Sequence, residues 1–528
     1  MCERHYATAR MFPQPCRRRA DTNVVRLVAH FRDASLPTFE APLECRKMNA
    51  PVDMAIAECM QSLVRILHLQ RRAFDADRYP ALGTRCERLE RLLQMLTRHE
   101  REWVAAVDRD FGHRAAHETR LAEIAFVAGE ARHAMRNLAR WMKPRRARVP
   151  LHLLPAAARI VAQPLGVVGV IGAWSYPVQL VLAPAVAALA AGSRVMLKPS
   201  ERTPATSALL AELVAAYFRE DELTVIEGNA AVASMFSALP FDHLCFTGSA
   251  DAARRVAAAA AENLTPVTLE LGGKSPALLD GDADFAVAAP RLALGKLFNA
   301  GQTCMAPDYA LVPKPRVAEF VRAMQAAVRR LYPAAVRNAD YSSIIDTRHY
   351  ARLIGLLEDA RTRGARLVAL ADAPSGDAEL PRRLPPALVL DVSNDMAIMR
   401  EEILGPLLPV ETYSTLDDAI ARINARPHPL ALYWFGSRTV HRERVLRETH
   451  AGGVTLNDTL WHFAHPGLPF GGVGASGTGA YHGEHGFARF SHLKPVFVQS
   501  RLTATRLLAP PYGRNFERAL ALLGAPFG

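Results

Sequence analysis

The chain has 528 residues, half of them hydrophobic and 22% charged, a composition that excludes collagen-like, coiled-coil and largely disordered proteins. Its net charge of +12 raises the question of nucleic acid, but the 64 basic residues are spread among 52 acidic ones instead of gathered into one segment. The densest basic runs, residues 16–20 and 143–148, carry no interleaved aromatics and read as solvated turns, so no nucleic-acid partner is expected.

Taken in chain order, residues 1–53 show no sustained periodicity and read as a disordered extension or a mis-assigned start. From about 55 to 143 the pattern is helical. The run at 85–112 repeats apolar residues three and four apart and ends on Gly112, as a capped helix does, and the run at 118–142 follows the same period. Next comes strict alternation: strands at 163–171, 194–198, 223–227, 242–247 and 266–271, with helices at 178–191, 204–218, 231–238 and 249–262 between them. Such alternation predicts βαβ crossovers and a parallel sheet whose ligands bind at the carboxyl ends of the strands. Ser175, Lys198, Gly248 and Glu270 fall at such ends.

The longest apolar run, 178–191, is shorter than the roughly 20 residues a membrane-spanning helix needs, so no span is expected. A second α/β region follows from 272, with strands expected in "YALVP", "PALVLDV", "LPVETY" and "ALYWFGS". The late run "LKPVFVQS" reads as an isolated strand that pairs with another domain or subunit. The seven cysteines are odd in number, show no CxxC spacing and follow no signal peptide, which predicts reduced thiols and a cytoplasmic location, with no metal site.

Three short segments carry residues suited to chemistry. In "TLELGGKSP" Glu270 ends an apolar strand before two glycines, which leaves its carboxylate little local cover. In "FNAGQTCMAP" Cys304 sits at a turn after an apolar helical run. A lone cysteine is more often an inert core residue, and "REEILGP" alone would be an exposed acidic turn.

In this order and on this framework, "LELGGKSP", "GQTC", "EEILGP" and "LPFGGVGASGTGAYHG" together resemble the aldehyde dehydrogenase superfamily from about residue 60 to about 497. "DFGHRAAHET" and "VTLNDTLWHFAHPGLPFGG" resemble its class 3 branch, in particular the coniferyl aldehyde dehydrogenases. The resemblance implies an α/β aldehyde dehydrogenase fold. Its parts would be N-terminal helices and a Rossmann-like NAD(P)-binding domain (54–271), a catalytic domain (272–462), a return to the cofactor domain with a bridging strand (463–500) and a tail (501–528).

It further implies Cys304 as nucleophile and Glu270 as base, with a homodimer joined through the C-terminal strand. Trp174, Lys198, Glu201, Gly248, Ser249 and Glu402 would hold the cofactor, NAD with NADP as the alternative. Tyr176, Trp461 and His462 would line the path of an aromatic, phenylpropenyl or medium-chain aldehyde. Three positions depart from the family pattern: Ala253 stands for a glycine, Leu404 for a phenylalanine, and Ser175 for the asparagine of Trp-Asn-Tyr-Pro whose amide donates to the oxyanion. The last departure predicts a slowed enzyme, or alternatively a cofactor- or aldehyde-binding protein with impaired turnover.

Overall fold

The computed structural model describes residues 52–150, 153–371 and 382–524, so the reading of the first 51 residues lies outside the described ones. α1 (Val52–Ala76) is followed by α2 (Leu82–Arg98) and α3 (Glu100–Phe111). The single helix expected over 85–112 is therefore two, because His99 leaves the helical backbone at φ −108°, ψ 26°. Each half then turns its own stripe inward, Leu89, Leu92 and Leu96 on α2 and Trp103, Val107 and Phe111 on α3. Gly112 closes α3 as predicted: its φ of 73° is a left-handed conformation that glycine adopts without penalty. A π-helical turn, Arg120–Ala125, then leads into α4 (Phe126–Trp141).

The expected strand at 163–171 is also two strands. β2 (Ala157–Pro164) ends at a proline, which has no N–H to continue a ladder, and β3 (Val167–Ile171) starts after Gly166 at φ 143°. The Asp242 carboxylate accepts the Val167 N–H at 2.7 Å and fixes this restart.

The six-stranded sheet has the order β15-β7-β6-β3-β4-β5. β4 (Arg194–Lys198), β5 (Leu223–Val225), β6 (His243–Thr247) and β7 (Val267–Glu270) run parallel with β3; only the short β15 (Gly477–Thr478) is antiparallel, on β7. α5 (Gln179–Ala191) crosses from β3 to β4. All 13 of its residues are buried, because it packs against the sheet on one side and against α2 and α4 on the other. That double burial explains a helix apolar around its whole circumference.

A seven-stranded sheet of order β10-β11-β12-β9-β8-β13-β14 forms the second region. The four expected strands are its β9 (Tyr309–Pro313), β11 (Ala387–Leu390), β12 (Leu407–Tyr413) and β13 (Ala431–Phe435). Three four-residue strands complete it: β8 (Pro276–Leu279), β10 (Arg366–Ala369) and β14 (Gly453–Leu456).

The late strand β16 (Ser491–Val498) has a partner in its own chain. It pairs antiparallel with β2 from Ser491↔Pro164 to Val498↔Ala157, and β1 (Arg145–Ala147) lies on β2's other side. Nearby sequence could not reveal this partner, since β2 precedes β16 by both sheets. The tail beyond residue 501 includes a further helix, Arg514–Gly524. Among the described residues, Cys86, Cys245 and Cys304 are free thiols and no helix is long and apolar enough to cross a membrane.

Candidate active site

A cleft of about 500 Å³ opens at the carboxyl ends of β3, β4, β6 and β7. Trp174 and Ser175 line it beyond β3, Glu201 beyond β4, Gly248 and Ser249 beyond β6, and Glu270 at the end of β7. The segments that lead into β9 and β12 bring Cys304, Glu402 and Leu404 to the same cleft. Sites at this edge follow from parallel strands, whose connecting loops gather there.

Ser249 caps helix Ala250–Ala261, its Oγ accepting the Ala252 N–H at 3.4 Å, and so presents the positive end of that helix to the cleft. Ala253, on the same helix, is buried. Lys198 does not line the cleft. It is 1% exposed, its Nζ donates to the Pro199 carbonyl at 2.7 Å and lies 3.8 Å from Glu201, and burial lowers its pKa to about 8.

Glu270 differs from the expectation of an open carboxylate. It is 2% exposed, both carboxylate oxygens are buried without a hydrogen-bond partner, and burial holds its pKa well above the usual carboxylate range. The two glycines after it do leave local space, but β15 brings Gly477 opposite Glu270 and supplies cover from far along the chain.

Cys304 is reached through a distorted turn. After helix Phe285–Leu297, the residues Asn299, Ala300 and Gly301 have φ of 53°, 51° and 77°. Two consecutive non-glycine residues in the left-handed region cost roughly 1–2 kcal/mol each, so surrounding bonds must hold them there. The Asn299 N–H donates to the Glu118 carboxylate, and Asn299 Nδ2 donates to the Ser175 carbonyl at 3.0 Å and to the Gln302 carbonyl at 3.1 Å. Gln302 in turn donates to the Ser343 carbonyl at 2.9 Å and accepts the Ile345 N–H at 2.9 Å. The Cys304 thiol is partly open to the cleft, yet its pKa is pushed up to about 12, by burial first and then by the nearby Glu402 and Glu270.

The Ser175 carbonyl is gripped from a second side by Arg114 Nη1 at 3.2 Å. Arg114 pairs with Glu123 at 3.0 Å, both side chains fully buried, and Glu123 also accepts the Val178 and Gln179 N–H groups at the start of α5. The helical period of 118–142 does not by itself mark Glu118 and Glu123, nor the preceding turn Arg114, as buried site residues. Two acids on the inward face of an amphipathic helix were the available signal, because carboxylates are rarely buried without a partner.

Glu402 lies over Gly272, where a Cβ would run into its carboxylate. Burial first, and Asp308 second, raise its pKa to about 8. Its loop is held from below: Lys274 Nζ donates to the Ile398 and Glu401 carbonyls at 2.6 and 3.0 Å and pairs with Asp308, which accepts the Ile403 N–H at 3.0 Å. None of Lys274, Asp308 or Arg352, which donates to the Glu402 carbonyl at 3.2 Å, was singled out from sequence.

The three residues read as substrate-lining do not line this cleft. The Tyr176 hydroxyl is buried against Thr303 Oγ1 at 2.5 Å. His462 is buried and bonded to Thr455 Oγ1 at 2.7 Å, its pKa lowered by burial to about 4, while Trp461 is 57% exposed. Phe463, beside them, stacks on Phe126 with ring centroids 4.4 Å apart.

A thiol, a buried acid and a helix N-terminus around one cleft, at the edge of a parallel sheet, suit oxidation of a carbonyl compound through a covalent thio-adduct. Residues 60–496 match the aldehyde dehydrogenase family, and the chain belongs to that family. A protein of Pseudomonas aeruginosa named probable coniferyl aldehyde dehydrogenase is 50% identical over 450 residues, covering 85% of this chain and 93% of that protein. The substrate-bound state of Staphylococcus aureus AldH overlays with a TM-score of 0.82 at 37% identity, over 87% of this chain and 99% of that one. An aldehyde dehydrogenase C mutant of Pseudomonas syringae, solved with NAD+ and octanal, overlays with a TM-score of 0.73 at 28% identity, over 83% and 89% of the two chains. The alternative of a binding protein with impaired turnover finds no support among these relatives.

Proposed function

We propose that this aldehyde dehydrogenase oxidises an aryl or phenylpropenyl aldehyde of the coniferyl aldehyde type to its acid, with NAD as the cofactor. One observation carries the reading: Cys304 and the buried, unpartnered carboxyl of Glu270 face the same cleft. The substrate class rests on the name of the Pseudomonas aeruginosa relative. Tyr433, fully buried, donates its hydroxyl to the Met305 carbonyl at 2.6 Å and so steadies the residue next to Cys304.

The residues present fit a dinucleotide. The Ser249-capped helix end suits a pyrophosphate, Glu201 a ribose hydroxyl, and Glu402, with Oε1 buried and unpartnered, a second ribose. Trp174 and Gly248 complete the wall, and Lys198 holds Glu201 from beneath. When bound, NAD supplies the hydride acceptor. We assign cofactor binding to the six-stranded sheet and covalent catalysis to the seven-stranded one.

In the chemistry done by this chain, Cys304 Sγ attacks the aldehyde carbon, and the Cys304 N–H with the Ser175 hydroxyl donates to the oxyanion. Glu270 takes the thiol proton, passes it to solvent and, once the thioester has formed, removes a proton from the water that hydrolyses it. Because Cys304 and Glu270 both favour their neutral forms, Glu270 must first ionise. We place the enzyme in the cytoplasm as a homodimer joined along the free edge of β16, where Leu493, Phe497 and Val498 are 42–50% exposed.

Purified protein with coniferyl aldehyde and NAD is expected to produce reduced cofactor at 340 nm, and Cys304→Ala to produce none. Absence of turnover over a broad aldehyde panel with either cofactor would sink the proposal.

A further inference from the structure

Arg202 follows Glu201 at the end of β4 and lines the same wall of the cleft, yet its guanidinium is turned to a carboxylate from the other half of the chain. Its Nη1 lies 2.5 Å from Asp346 Oδ2, with the two side chains 31% and 33% exposed. Asp346 caps helix Thr347–Thr362 through the His349 N–H at 2.6 Å, so its own helix holds it in place as well as Arg202 does. The neighbouring cation, Lys198, is spent: it is 1% exposed and bonded to the Pro199 carbonyl beneath Glu201. Arg255, exposed on the cleft wall formed by helix Ala250–Ala261, is a further cation at this end.

These groups decide how a ribose at Glu201 is read. A 2′-hydroxyl can donate to the Glu201 carboxylate, whereas a 2′-phosphate meets that carboxylate with like charge. An arginine offers a planar, two-pronged donor that prefers phosphate, and a pair one-third exposed is held weakly on its carboxylate. We propose that the Arg202–Asp346 pair sets cofactor choice: Arg202 stays on Asp346 when the ribose is unmodified and swings onto the phosphate when it carries one, so one cleft takes both NAD and NADP.

The inference rests on the proposed dinucleotide site, and binding measured without turnover separates the two. Calorimetry on the full chain would compare 5′-AMP with 2′,5′-ADP, and NAD with NADP, for wild type, Arg202→Gln, Asp346→Asn and the double variant. Asn at 346 keeps an acceptor for the His349 N–H, and thermal melting of each variant checks that it is folded.

Asp346→Asn is expected to tighten 2′,5′-ADP relative to 5′-AMP by up to about fivefold, the worth of a part-exposed pair, and Arg202→Gln to weaken it about tenfold, the worth of one charge-assisted bond to phosphate. The double variant should match Arg202→Gln, because the released partner is gone. An unchanged ratio in Arg202→Gln, with 5′-AMP still bound, overturns the role of Arg202 and leaves the dinucleotide site standing. Failure of all four compounds to bind overturns both.

Discussion

Replacing Ser175 with asparagine restores the amide that the family pattern places at the oxyanion. The backbone there has no freedom to adjust, because Arg114 and Asn299 hold the Ser175 carbonyl at 3.2 and 3.0 Å. The side chain alone must therefore reach the reacting atom, and a serine hydroxyl ends about one bond, roughly 1.5 Å, short of an asparagine nitrogen. Loss of an oxyanion donor costs about 2.7–4 kcal/mol. If the hydroxyl keeps half of that, directly or through a bridging water, the asparagine variant gains about 1.4–2 kcal/mol, or a kcat roughly 10- to 30-fold higher. Steady-state turnover of coniferyl aldehyde at saturating NAD measures the gain, and Ser175→Ala measures what the hydroxyl supplies. An unchanged or lower kcat in Ser175→Asn, with cofactor affinity intact, would refute the reasoning.

Other expectations concern buried charge. The rate is expected to rise with pH beyond the usual carboxylate range, because burial holds the carboxyl of Glu270 well above that range and it must ionise to act as a base; Glu270→Gln should lose most of the activity and flatten the profile measured by kcat/KM. Glu402 has a folded pKa of about 8 against 4.5 for the free group, so the stability it contributes is complete below about pH 4.5 and is lost as pH rises through 8. Glu402→Gln should accordingly raise the melting temperature more at pH 9 than at pH 5, and an equal shift at both would contradict the assignment. Arg114→Met leaves Glu123 buried without its counter-ion and is expected to cost about 3 kcal/mol in urea unfolding, with a loss under about 1 kcal/mol counting against the network.

Much of the cofactor sheet was legible because β-branched runs end at glycine, lysine or glutamate in strict alternation with apolar helices. Ser175, Gly248 and Glu270 could be placed at strand ends from that pattern alone. The second sheet was harder: β8, β10 and β14 are four-residue strands without alternation, and only their neighbours in the sheet define them. Local pattern could not show that His99 breaks a helix or that Gly166 divides a strand, since in both places the apolar period runs on across the break. Side-chain direction was the least readable. Tyr176 and His462 are aromatic residues in segments near Cys304, but Thr303 bonds the Tyr176 hydroxyl and Thr455 the His462 Nδ1, and those contacts exist only in the folded chain. Burial of Glu270 is of the same kind, because its cover lies two hundred residues downstream.

The pairings of β16 with β2 and of β15 with β7 carry a consequence for synthesis. At roughly 5–20 residues per second, the ribosome releases β2 tens of seconds before β16 exists to lie along it. During that interval one side of β2 is an open edge, and Glu270 has not yet received Gly477 opposite it. A nascent chain can therefore assemble both large sheets and still lack a closed acid beside its thiol. β15 and β16, both late in the chain, cover the open edge and complete the site together, which makes removal of residues 477–498 costly to activity and solubility alike.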